Sequence, residues 1–82
     1  MSGAALYETV KAQCRVILGE DYGIPVDEYR IVMQDVTSLG SDMQPILAVT
    51  FTRKSNGREI VFSNIYPADD GEILQYSPPE MM

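Results

Sequence analysis

The run Leu47-Ala-Val-Thr-Phe-Thr-Arg-Lys-Ser-Asn-Gly-Arg-Glu-Ile-Val-Phe62 constrains the fold more than any other stretch of this chain. Apolar and polar residues alternate on both sides of Asn56-Gly57, and a period of two marks a strand with one buried face. Asn-Gly readily adopts the positive φ angles of a type I′ turn, so the two arms are expected to form a hairpin closed by two residues. Counting outward places Lys54 opposite Glu59, Thr52 opposite Val61, Phe51 opposite Phe62, Thr50 opposite Ser63 and Leu47 opposite Tyr66. Leu47, Val49, Phe51, Ile60, Phe62 and Tyr66 then share the core face, and Thr50, Thr52, Lys54, Glu59 and Ser63 the other. The competing closure is a three-residue loop bulged at Gly57, which would break the Phe51–Phe62 pair.

Residues 4 to 18 read as an amphipathic helix, because Leu6, Tyr7, Val10, Cys14, Ile17 and Leu18 recur at spacings of three and four. Gly19 is the expected stop, since glycine takes the left-handed conformation that ends helices. Glu8, Lys11, Ala12 and Arg15 fall on the wet face, with Glu8 in reach of Lys11. Tyr22-Gly-Ile-Pro-Val26 is a connector. Tyr29 to Val36 is expected as a strand with Tyr29, Ile31 and Met33 inward and Arg30, Val32 and Gln34 outward. Thr37 to Gln44 reads as a polar loop closed by Pro45, Asp69-Asp70-Gly71 as a turn, and Glu72 to Tyr76 as a short fourth strand. Two adjacent prolines cannot donate ladder hydrogen bonds, so Ser77-Pro78-Pro79 is expected to end the pairing and leave residues 77–82 as a flexible tail. The fold expected over residues 1–76 is a single α+β domain, an N-terminal helix packed on a three- to four-stranded antiparallel meander sheet.

A chain of 82 residues, 45% apolar, supports one core and not two. Cys14 is the only cysteine, so no internal disulfide framework exists and packing must hold the fold. No basic stretch leads into an apolar run at the N-terminus, and no segment approaches the roughly 20 apolar residues of a membrane span. A soluble, cytoplasmic protein is expected. Twelve acidic against six basic residues give a net charge of −6, which disfavours direct nucleic-acid binding, where clustered Lys and Arg must meet phosphates. The charges are unevenly spread. Glu20, Asp21, Asp27, Glu28, Asp35 and Asp42 face one base, Arg30, in their stretch, and Asp69, Asp70, Glu72 and Glu80 face none, while Arg53, Lys54 and Arg58 surround the hairpin turn. An acidic side and a small basic tip are expected.

The chain has no histidine, and so lacks the commonest general base and metal ligand near neutral pH. Cys14 lies inside the helix's apolar stripe and reads as a structural thiol. There is no Cys-x-x-Cys pair, no Gly-x-Gly-x-x-Gly and no phosphate-binding Gly-Lys-Ser or Gly-Lys-Thr, so no metal, nucleotide or other cofactor is expected. Asp69-Asp70-Gly71-Glu72 opens like a calcium loop, but a calcium loop alternates its oxygen ligands and closes with a glutamate, whereas here Ile73 and Leu74 occupy the middle and prolines follow, so it reads as a turn. Ser77-Pro78-Pro79 lacks a Pro-x-x-Pro pattern. An enzyme is not expected.

Two functional classes fit what is left. The first is a small acidic binding protein, an inhibitor that presents Glu20-Asp21, Asp27-Glu28 and Asp69-Asp70-Glu72 to the basic, nucleic-acid-binding surface of a partner protein, with Tyr22 and Tyr76 as aromatic anchors. Small acidic phage-type proteins that disarm nucleases or defence complexes offer the analogy, one of size and charge only. The second is a structural or assembly module that pairs through a sheet edge, at Tyr29–Val36 or Glu72–Tyr76, either within a homodimer or with a larger complex. A helix followed by three strands also occurs in double-stranded-RNA-binding domains. Those end in a second helix with a lysine-rich start, whereas this chain ends in Ser77-Pro78-Pro79-Glu80, and the match fails.

Overall fold

The computed structural model describes residues 3 to 36 and 45 to 81, and the expected loop at Thr37–Gln44 lies outside the described residues. Helix α1 (Gly3–Val16) is followed by a π-helical turn (Ile17–Asp21) and a 3-10 turn (Val26–Glu28). The strands are β1 (Tyr29–Asp35), β2 (Leu47–Arg53), β3 (Glu59–Pro67), β4 (Ile73–Gln75) and β5 (Glu80–Met81). All pairings are antiparallel, in the order β1-β2-β3-β4, with β5 also on β3. This is the expected α+β meander.

Val10, Cys14 and Leu18, four residues apart, are fully buried in the core, with Tyr7 and Ile17 half-buried against them, while Leu6 is half-buried without joining that cluster. Opposite them lie Leu47, Val49 and Phe51 of β2 and Ile60, Phe62 and Ile65 of β3. Removing each aliphatic side chain from water contributes about 1.5–3 kcal/mol, which fixes the helix on the sheet more firmly than helix propensity does. Gly19 does not end the helix. It sits within the π turn, and the positive φ falls on Gly23 (+65°), after which the Ile24 N–H returns to the Leu18 carbonyl at 3.1 Å. Widening the last turn keeps Leu18 in register with Val10 and Cys14 and moves the glycine-dependent exit four residues on.

The hairpin closes differently from expectation. Gly57 has φ +72°, but Asn56 does not share the positive φ that a type I′ turn requires. Its side chain instead accepts the Arg58 N–H at 3.0 Å, while the Gly57 N–H donates to the Arg53 carbonyl and the Arg53 N–H to the Arg58 carbonyl, both at 2.8 Å. A four-residue loop, Lys54 to Gly57, results. Thr52 pairs with Glu59, Phe51 with Ile60, Thr50 with Val61 and Val49 with Phe62. Each pair is two residues away from the expected register, and a slide of two leaves every side chain on its expected face.

A second departure does change a face. Between the Val49–Phe62 and Leu47–Ile65 pairs β3 carries one more residue than β2, a bulge that places Asn64 at φ +53°. Past the bulge the alternation inverts, so Ile65 is buried and Tyr66, expected in the core, is only half-buried.

The prolines interrupt pairing without ending it. Tyr66 pairs with Gln75 in β4, and Val61 with Glu80 and Ile60 with Met81 in β5, on one continuous register. Between them the Ser77 N–H donates to the Ser63 carbonyl and the Asn64 side-chain amide to the Ser77 hydroxyl, both at 3.0 Å. β4 and β5 are thus two ends of a single run along β3, broken where Pro78 and Pro79 have no N–H to give.

Candidate functional site

The expected acidic residues separate into two groups in space. Glu20 and Asp21 close the π turn, and Asp27 and Glu28 form the 3-10 turn that feeds β1. The second pair does not stand as free negative charge. Arg15 holds Asp27 at 2.9 Å, and Arg53 grips one Glu28 oxygen through Nη2 at 2.7 Å and Nε at 3.2 Å. Arg53 also lies 5.9 Å from the centroid of the Tyr29 ring, its neighbour across the β1–β2 ladder. Hydrogen bonding to Glu28 and its charge raise the Arg53 pKa further, so the guanidinium stays charged throughout the physiological range.

The basic tip and this acidic turn therefore occupy the same end of the molecule. Lys54 confirms the arrangement, its backbone N–H donating to the Glu28 carbonyl at 2.9 Å and its ammonium to the Asp27 carbonyl at 3.5 Å. An acidic side facing away from a basic tip is not what the chain builds there. These long-range pairs could not be read from local spacing, unlike Glu8–Lys11, which meets at 3.0 Å as its three-residue separation implies.

Glu20 and Asp21 are exposed and belong to none of the ion pairs among the described residues. They follow the C-terminal end of the helix, where the backbone dipole favours cations, so each carboxylate there costs a few tenths of a kcal/mol instead of adding stability. Tyr22 beside them is 43% exposed, which leaves its ring able to contact another molecule.

The second group is the turn Asp69-Asp70-Gly71-Glu72, at the opposite end of β3 from the hairpin. Asp70 accepts the Glu72 N–H at 2.9 Å, and the Ala68 N–H closes the turn onto the Glu72 carbonyl at 2.7 Å. The side chain of Gln13 reaches from α1 to accept the Ile73 N–H at 2.9 Å and donate to the Gly71 carbonyl, fixing the turn against the helix. Gly71 is buried with φ +91°, and a Cβ there would come 2.8 Å from Cβ of Thr9. Only glycine allows the turn to lie this close. Asp69, Asp70 and Glu72 are exposed, and none takes part in an ion pair among the described residues. Gln13, which positions all three, carried no signal in the sequence beyond lying one step off the apolar stripe.

Tyr76 is not a free anchor. Its ring is half-buried, 5.8 Å from Phe62 and tilted by 58°, so it closes the edge of the core. The Cys14 thiol is fully buried, and burial pushes its pKa up to about 12, which keeps it protonated and unreactive. Among the described residues no cluster of carboxylates or thiols is arranged to hold a metal, and no helix is long and apolar enough to cross a membrane. The chain matches no protein-family model, no curated protein and no solved structure.

Proposed function

We propose that this is a small non-enzymatic binding protein that docks unpaired carboxylates on the basic surface of a partner protein, in the place a nucleic acid would take. The observation that carries the reading is the set of five exposed carboxylates in two braced turns, Glu20, Asp21, Asp69, Asp70 and Glu72, which form no ion pair among the described residues. Bracing matters because carboxylates held on a rigid turn lose little freedom on docking. Asp27 and Glu28 have a different part in this reading, since their charges are already met by Arg15 and Arg53. Tyr22 is the adjoining aromatic contact, and Tyr76 contributes only through the core.

Partners retained from a nuclease-treated lysate at low and at high salt identify the target, and the triple variant Asp69→Asn, Asp70→Asn, Glu72→Gln then tests the site. Asp70→Asn keeps a side-chain oxygen to accept the Glu72 N–H and close the turn, so folding should hold while affinity for a basic partner drops several-fold at low salt. Unchanged affinity would remove this turn from the mechanism. The second reading, assembly through a sheet edge, is supported by the outermost position of β1 among the described strands, with Val32 and Val36 52% and 46% exposed.

A further inference from the structure

The two sides of the sheet differ in how they meet solvent. On the far side, the run that pairs with β3 is interrupted by Pro78 and Pro79, a device that blunts an edge against further pairing. β1 has no such device: Tyr29–Asp35 is a regular seven-residue strand, and among the described residues no strand pairs with its outer side. Two bonds fix which amides face outward. The Val36 N–H donates to the Ile46 carbonyl and the Lys54 N–H to the Glu28 carbonyl. Both continue the register that pairs Asp35 with Leu47 and Tyr29 with Arg53. Even-numbered residues of β1 therefore turn their amides toward β2, and Ile31 and Met33 turn theirs to the open edge.

We propose that the occupant of this edge is a second copy of the chain, its β1 antiparallel to the first about a two-fold axis at Val32. This deepens the edge-assembly reading and rests on it. In that register Ile31 faces Met33 of the second copy, so the outward amides of both residues meet outward amides. Both pairs lie on the core side, where Ile31 and Met33 are only half-buried in a single chain. On the other side Val32 faces Val32 and Arg30 faces Gln34, and on the core side Asp35 falls opposite Tyr29, so no carboxylate opposes another. The neighbouring registers lack this match. Centring on Ile31 sets Asp27 against Asp35, centring on Met33 sets Asp35 against Ile31, and odd shifts bring outward amides against inward ones. A chain of net charge −6 can thus associate with itself along a strand holding one base and one acid, neither facing its like.

Sedimentation velocity over rising concentration, with hydrogen exchange at the Ile31 and Met33 amides, tests the proposal. The native chain should dimerise, and both amides should gain protection as it does. Val32→Lys sets two ammonium groups face to face at the axis without touching the core, and should weaken the dimer at least tenfold with unchanged circular dichroism. Val32→Cys should cross-link under mild oxidation, because unbonded pairs in antiparallel strands bring Cα atoms to about 4.5 Å, whereas Thr50→Cys on the next strand should not. A chain still monomeric at about 1 mM overturns the second copy as occupant. A dimer that tolerates Val32→Lys and leaves Val32→Cys unlinked overturns the register. Failure of the broader edge reading looks different: Ile31 and Met33 would exchange rapidly even in complex with a captured partner.

Discussion

Gln13 and Ile73 stand sixty residues apart in the chain and 2.9 Å apart in the fold, the Gln13 side-chain oxygen accepting the Ile73 N–H. The same amide donates to Gly71, so one polar side chain on α1 holds both flanks of the last turn. Gln13→Leu keeps the bulk and leaves both backbone groups without their partner. The expected loss is about 1–3 kcal/mol in urea denaturation, with faster hydrogen exchange at Ile73 and no change at Phe51.

Gly71→Ala should be at least as damaging by another route. The new methyl group would meet Thr9 at 2.8 Å, and alanine at φ +91° is strained even in open space. About 1–3 kcal/mol or more should be lost, and the turn should lift from the helix. Gly19→Ala is the comparison, since nothing lies within 4 Å of a Cβ there and its φ is not positive, and it should be tolerated.

Phe62 packs against Phe51 at 6.1 Å and against Tyr76 at 5.8 Å, and both phenylalanines are fully buried. Phe62→Ala should cost about 3–5 kcal/mol, enough to unfold most of a small domain at room temperature. Tyr76→Ala, at the margin of the same cluster, should cost less, and comparing thermal midpoints of the two variants measures the difference.

Cys14 supplies a pH dependence whose sign follows from burial. Its thiol has an ordinary value of 9.0, raised to about 12 in the fold. The native state therefore holds the proton more tightly than the unfolded chain, and that contribution to stability is complete below pH 9 and lost as pH rises toward 12. Stability measured from pH 8 to pH 11 should fall, and Cys14→Ala should flatten the decline while lowering the plateau. In the native protein at pH 8 the thiol should react with a disulfide reagent only as fast as the chain opens.

How much of this could be read beforehand depended on how far each signal reached. Alternation in Leu47–Arg53 and Glu59–Phe62 assigned the buried face, and the stripe Val10, Cys14, Leu18 assigned its cover, because burial leaves a local period. Register was harder: a slide of two residues preserves both faces, so only the turn could decide, and Asn56 used its side chain in place of a positive φ. Asn64 was missed because a bulge adds one residue without marking itself by glycine. Of the candidate site, the exposure of Glu20, Asp21, Asp69, Asp70 and Glu72 agrees with their setting in turns. The engagement of Asp27 by Arg15 and of Glu28 by Arg53 depended on tertiary proximity, which no spacing announces.

The internal pairing of Asp27 and Glu28 has a final consequence for motion in solution. Asp69, Asp70 and Glu72 sit beyond one end of β3 with no base among them, while at its hairpin end Lys54 and Arg58 stand near Glu59 and Glu80, so the two ends of that strand differ in charge density. A positively charged surface then exerts a torque as well as a pull, turning the acidic turn toward it before contact. Association would begin from an already selected orientation, and added salt would slow arrival before it loosened the bound state.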